Sequence, residues 1–131
     1  MRFRKLEVMS EHSATQRTVF ERIVAGEIPS TKVFENERVL GIRDIAPRAP
    51  IHLLLFPKTA EYTNVAELAA GDPGLLAEIV GIAQQLADEH ANGQYRLTFN
   101  TGADAGQTVF HVHAHVLADP ERTGALTEAS L

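Results

Sequence analysis

Apolar and polar positions repeat along this chain with periods that change from stretch to stretch, and the changes delimit its elements. Thr18 and Glu21 stand three apart at the head of an apolar run, the spacing of a capping box, and predict a short helix to about Ala25. Gly26 supplies a left-handed stop and Pro29 prevents continuation. Val33, Val39 and Ile42 alternate with charged residues over 32–36 and 38–44, around Glu35, Asn36 and Glu37, which is the pattern of a β-hairpin. Pro47 and Pro50 bracket a turn. Residues 51–56 then run as large apolar side chains broken only by His52 and closed by Pro57, as a central strand buried on both faces would. Asn64 with Glu67 predicts a second small cap, and Gly71, Asp72, Pro73 and Gly74 a loop. Over residues 75–90, Leu75, Leu76, Ile79, Val80, Ala83, Leu86 and Ala87 keep the three-and-four spacing of an amphipathic helix lying on a sheet, ended by Asn92 and Gly93. Residues 95–100 and 109–117 read as two strands joined by a Gly-rich loop over 101–108. The order predicts an α+β fold: a mainly antiparallel, five-stranded sheet with one short and one long helix.

With 131 residues, 44% of them apolar, the chain suffices for one core, and we expect a single domain over residues 18–131. Residues 1–17 carry four basic side chains against two acidic ones and no organised apolar face, which predicts a mobile tail and no signal peptide; Met9 offers an alternative start. No stretch approaches the roughly 20 apolar residues of a membrane helix, so a soluble, cytoplasmic protein without a membrane partner is expected. The absence of Cys removes disulfides, thiolate zinc sites, iron–sulfur clusters and cysteine nucleophiles. A formal charge of -5 argues against coating nucleic acid, whose affinity comes from Lys and Arg. An anionic ligand would have to be held locally, by amides, polar side chains or imidazoles.

The chemistry is concentrated in His111, His113 and His115. On a strand these three imidazoles share a face, while Val112, Ala114 and Val116 point the other way into the core. Neighbouring members would stand roughly 6.5–7 Å apart and the outer two about 13 Å apart, too far to clasp one ion without distortion. Two functional readings follow: a metal site built on a His-x-His pair with His52 or a carboxylate, and a metal-free site in which one neutral imidazole attacks phosphorus while others handle protons. A bland alternative is three histidines on an exposed sheet face. The loop that feeds this strand favours phosphate, because Gly102 and Gly106 let successive amides face an anion, and Asn100, Gln107 and Thr108 add neutral donors. Asp104 is the only carboxylate between Arg96 and Ala118, which is poor provision for a metal.

His111, His113 and His115, followed by Val116 and Leu117, resemble the signature of the histidine-triad nucleotide-binding family. The resemblance covers residues 20–117 and is closest to the small nucleoside phosphoramidate hydrolases. It runs through residues 23–29, residues 44–50, His52, Phe56 to Lys58, Asn100, and Gly106 to Thr108, where the family often has Ser at the last position. It implies that His113 attacks the α-phosphorus to give a nucleotidyl-histidine, which water resolves to a purine nucleoside monophosphate. His115, Asn100 and Thr108 would contact the phosphate or leaving group, and His111 and His52 would support the nucleophile's tautomer and proton traffic. Asp44 would accept from the ribose hydroxyls, with Val19, Phe20, Ile23, Ile42, Ile45 and Leu54 enclosing the base. The resemblance also implies a homodimer. Where relatives carry zinc ligands this chain has Thr18, Glu21 and Ala60, so neither a structural zinc nor any other cofactor is expected. The family's Gly-Gly-Arg tail is replaced by Ala118, Asp119, Pro120, Glu121 and Arg122, which leaves leaving-group specificity open. A nucleotide-binding protein without turnover, and a metal-dependent enzyme, are the competing readings.

Overall fold

The structure is a computed structural model that describes residues 16–128. Most of the tail expected over residues 1–17 lies outside the described residues. Arg17 is within them, and its guanidinium pairs with the Glu27 carboxylate, so contacts with the domain begin one residue before the expected boundary.

Helix α1 (Val19–Val24) opens with the predicted capping box: the Thr18 hydroxyl accepts from the Glu21 amide, and the Glu21 carboxylate accepts from the Thr18 amide at 2.8 Å. Six residues are too few for a helix to persist alone. What holds it is burial of Phe20 and Ile23, each contributing roughly 1.5–3 kcal/mol, more than the ~1 kcal/mol of a cap. Strands β1 (Lys32–Glu35) and β2 (Val39–Arg43) form the hairpin, and β3 (Ile51–Pro57) follows. Helices α2 (Val65–Gly71) and α3 (Pro73–His90) precede β4 (Arg96–Thr98) and β5 (Ala114–Ala118). The sheet order is β1-β2-β3-β5-β4, every pairing antiparallel, with β3 at its centre. Both of its faces are buried. Leu53 and Leu55 lie under α3 with Leu75, Ile79 and Leu86, while Leu54 and Phe56 meet Phe20 and Ile23 of α1 on the other face.

Three expectations are corrected. The segment 71–74 is no loop: Gly71 ends α2, Pro73 begins α3 where its missing N–H is no loss, and Asp72 caps the Leu75 amide at 3.0 Å. The fold therefore has two short helices beside the long one. The strand expected over 95–100 narrows to Arg96–Thr98. The strand expected over 109–117 begins only at Ala114, opposite Leu55. Beyond that pair the ladder cannot continue, because Pro57 has no N–H, its carbonyl is taken by the His111 ring, and the Val112 amide is bonded to Tyr62. Of the three histidines only His115 sits in the sheet.

Candidate active site

Val112, Ala114 and Val116 turn into the core under α3, as the alternation requires, and the imidazoles lie on the α1 face. The kink before Ala114 gives each ring its own partners. His111 is fully buried, with Nε2 donating to the Pro57 carbonyl at 2.7 Å, since a carbonyl can only accept. Its Nδ1 must then accept, and the Thr18 hydroxyl stands 2.8 Å away to donate. His113 donates from Nδ1 to the His111 carbonyl at 2.8 Å, which leaves its Nε2 with a lone pair and no protein partner among the described residues.

A second chain of bonds begins on β3. The Arg48 amide donates to Nδ1 of His52 at 3.0 Å, so a neutral His52 carries its proton on Nε2. That proton points to Nδ1 of His115, 2.9 Å away, with Oδ2 of Asp44 a further acceptor at 3.3 Å. His115 must therefore hold its own proton on Nε2, as a donor. The rings of His113 and His115 are 5.2 Å apart, closer than the strand spacing predicted, and His113 lies before β5 begins. Nucleophile and donor thus emerge side by side, one as a lone pair and one as an N–H.

Burial keeps all four imidazoles neutral. It pushes His111, His113 and His52 below the ordinary histidine range, although Asp44 pulls the other way on His113 and His52. His115 falls furthest, to about 4, through burial first and then the neighbouring His113 and His52.

The remaining expected site residues divide. In the loop, Gly102 and Gly106 adopt φ of 90° and 93°, backbone that a side chain would strain, around a single 3-10 turn over Ala103–Ala105. Thr108 is exposed, and Asn100 donates to the Ala105 carbonyl at 3.1 Å. Gln107, expected among the donors to the ligand, is buried and braces the loop instead: its amide donates to the Thr63 and Val109 carbonyls and accepts from the Gly102 amide. Of the six apolar residues expected around a base, Phe20, Ile23, Ile42 and Leu54 are buried in the α1 core, whereas Val19 is part exposed and Ile45 is 97% exposed. Phe20 stacks on Phe56 at 4.3 Å and sets its ring against His113 at 4.9 Å. Asp44 lies at the end of β2, bonded through Oδ1 to the Ala46 amide. Of the two residues expected to support the nucleophile's tautomer and proton traffic, His111 bonds Nδ1 of His113 through its backbone carbonyl, and the His52 ring bonds His115.

Sequence reasoning missed the part that Thr18, Pro57 and Arg48 play in fixing these tautomers. Thr18 was visible as a cap and as a replaced zinc ligand, not as a histidine partner, and a backbone carbonyl or amide leaves no mark in a sequence.

Asp44, His52 and His115 each offer a ligand atom within 4.8 Å of the others, and their separations approach the roughly 3.3 Å expected between ligands of a tetrahedral zinc. The donor chemistry does not fit. To ligate, Nε2 of His52 must give up its proton, and a proton moved to Nδ1 would face the Arg48 N–H, whereas ligating histidines donate their second N–H to an acceptor. The His111 ring, with both nitrogens engaged, cannot serve a His-x-His ion either.

Comparisons with known proteins supply the family. The family model described as scavenger mRNA decapping enzyme C-term binding matches residues 17–130. A HIT-like protein of Chlamydia pneumoniae is 44% identical over 102 residues, covering 76% of this chain and 91% of its own. The adenylylsulfatase HINT1 of Arabidopsis thaliana is 34% identical over 102 residues, covering 76% and 69%. The solved structure of a HIT family hydrolase from Clostridium thermocellum superposes with a TM-score of 0.75 at 40% identity, over 82% of this chain and 94% of that one. A five-stranded antiparallel sheet, three histidines gathered at one end of β5 and relatives of this closeness have one common explanation: the chain belongs to the histidine triad family, at the level of a nucleotide hydrolase.

Proposed function

We propose that this protein hydrolyses the P–N bond, or a related P–O bond, of purine nucleoside 5′-monophosphate derivatives through a nucleotidyl-histidine on His113. The observation that carries this reading is the bond from Nδ1 of His113 to the His111 carbonyl, which fixes Nε2 as the ring's lone pair. Nε2 attacks the α-phosphorus, the bond to the leaving group breaks, and Nδ1–H stays on the carbonyl as the ring gains positive character. His115 presents Nε2–H beside it. A phosphate anion entering next to His115 favours the charged form of the ring, so the substrate itself helps to charge the acid that protonates the leaving group. Water then attacks the phosphorus, the P–N bond to His113 breaks, and the nucleoside monophosphate leaves. Asp44 suits a ribose, and the exposed Ile45 and Val19, the latter at the start of α1, suit a purine face. The adenylylsulfatase among the relatives is named for an adenylyl compound, which supports the adenylyl class of substrate.

The test is a titration with AMP followed by turnover of an adenosine phosphoramidate. Rapid quench with labelled nucleotide and mapping at high pH should place the label on His113. Binding of AMP without turnover would replace the hydrolase with a nucleotide-binding protein, and label on another histidine would end the assignment. We also propose a homodimer, supported by the place of β4 as an edge strand of the sheet; a monomeric mass by light scattering would refute it.

A further inference from the structure

Beside the His52 and His115 pair, with Asp44 outside its wall, a cavity of about 530 Å³ opens between the sheet and the segment that follows β5. Its wall is cationic: Arg48 and Arg96 line it together with His52, His115 and Asn100, and among the described residues no acidic side chain does, in a chain whose net charge is -5. None of the six apolar residues assigned to the base lines it, so the cavity is a separate compartment that meets the phosphate position at His115. Arg96 donates to the Thr127 carbonyl at 2.7 Å, which ties down the chain near Ala125 and Leu126, also in the wall. Arg48 is placed differently. Its guanidinium is exposed and makes no ion pair among the described residues, while its charge is close enough to oppose protonation of both His52 and His115. A cation set against the catalytic pair weakens the acid, and an anion brought to it would relieve that effect.

We infer that this cavity receives the leaving group and that Arg48 selects leaving groups carrying their own anion, an amine bearing a carboxylate being the class that fits. The inference rests on the hydrolase reading above and adds its specificity. A free carboxylate pairs with a guanidinium through two parallel hydrogen bonds, and a cavity of this size holds an amino acid with room to spare. In the reaction, the P–N bond breaks, the nitrogen takes a proton and departs as the amino acid, and the phosphorus stays on His113. Arg48 is a specificity-determining residue in this scheme and takes no part in bond making.

The experiment compares two matched substrates, AMP joined through its phosphorus to the nitrogen of glycine or of glycinamide. Wild-type kcat/KM should favour the glycine conjugate by about tenfold, the equivalent of one charge-assisted contact. Arg48→Met should slow the glycine conjugate relative to the glycinamide conjugate and erase the preference, and Arg48→Lys should restore part of it. Equal rates for the two conjugates in the wild type, or a uniform loss with both in Arg48→Met, would overturn the inference while leaving the hydrolase intact. Absence of turnover with either conjugate would overturn the hydrolase reading, and the inference with it.

Discussion

The amide of Arg48 donates to Nδ1 of His52 at 3.0 Å, and this one backbone bond orders the protons on two histidines. His52 is left with Nε2–H, His115 accepts it at Nδ1, and the Nε2–H of His115 faces outward. A metal on the Asp44, His52 and His115 cluster would have to reverse that order. Turnover is accordingly expected to persist after exhaustive chelation. Loss of activity with EDTA and its return with zinc, followed alongside metal content, would refute the metal-free mechanism.

His113→Ala should lose several orders of magnitude in turnover and still bind AMP, because Asp44 and the loop amides remain in place. His115→Ala should lose less, since water or a neighbouring ring can supply a proton, whereas nothing replaces an aligned nucleophile. Single-turnover rates and calorimetric AMP affinity for the two variants separate these effects. Near-normal turnover in His113→Ala would be decisive against the assignment.

Thr18 serves a helix and a histidine with one hydroxyl, accepting from the Glu21 amide at 3.0 Å and donating to His111 at 2.8 Å. Thr18→Val removes both and leaves Nδ1 of the buried His111 unsatisfied, at a cost of about 2–3 kcal/mol from the cap and the orphaned acceptor together. Thr18→Ser should recover most of it. Urea unfolding measures the stability, and a parallel fall in kcat is expected because the His111 carbonyl orients His113. A fully stable Thr18→Val would mean that the bond contributes little.

Stability should fall as the pH is lowered through the histidine range. Each of the four rings has a depressed pKa in the folded protein, so the unfolded chain binds more protons and their contribution is complete above the ordinary value near 6.5. It is lost as the pH drops toward the folded values, and His115 extends the decline to about 4. Thermal unfolding from pH 8 to 4 checks this, and His115→Gln should flatten the lower part of the curve. An unchanged melting temperature down to pH 5 would contradict the burial of neutral rings.

Much of the scaffold was legible without coordinates. Thr18 and Glu21 announced α1, the run around Leu53 to Phe56 announced a strand buried on both faces, and the three-and-four spacing from Leu75 onward announced the long helix. These are local signals: capping, alternation and amphipathicity act over a few residues and leave a period in the chain. The facing of the histidines was legible for the same reason, since Val112, Ala114 and Val116 had to enter the core. What the alternation could not foretell was where pairing stops. The break before Ala114 depends on Pro57, on Tyr62 and on the His111 ring, which lie far apart in sequence and compete for the same backbone groups. Roles within the site were decided at that level as well. Gln107 reads as a donor for a ligand until Thr63 and Val109 are brought beside it, and Arg48 reads as a turn residue until His52 and the cavity surround it. A tautomer is set by whichever donor or acceptor the fold places 3 Å from a ring nitrogen, and here most of those partners are backbone atoms whose identity no side chain encodes.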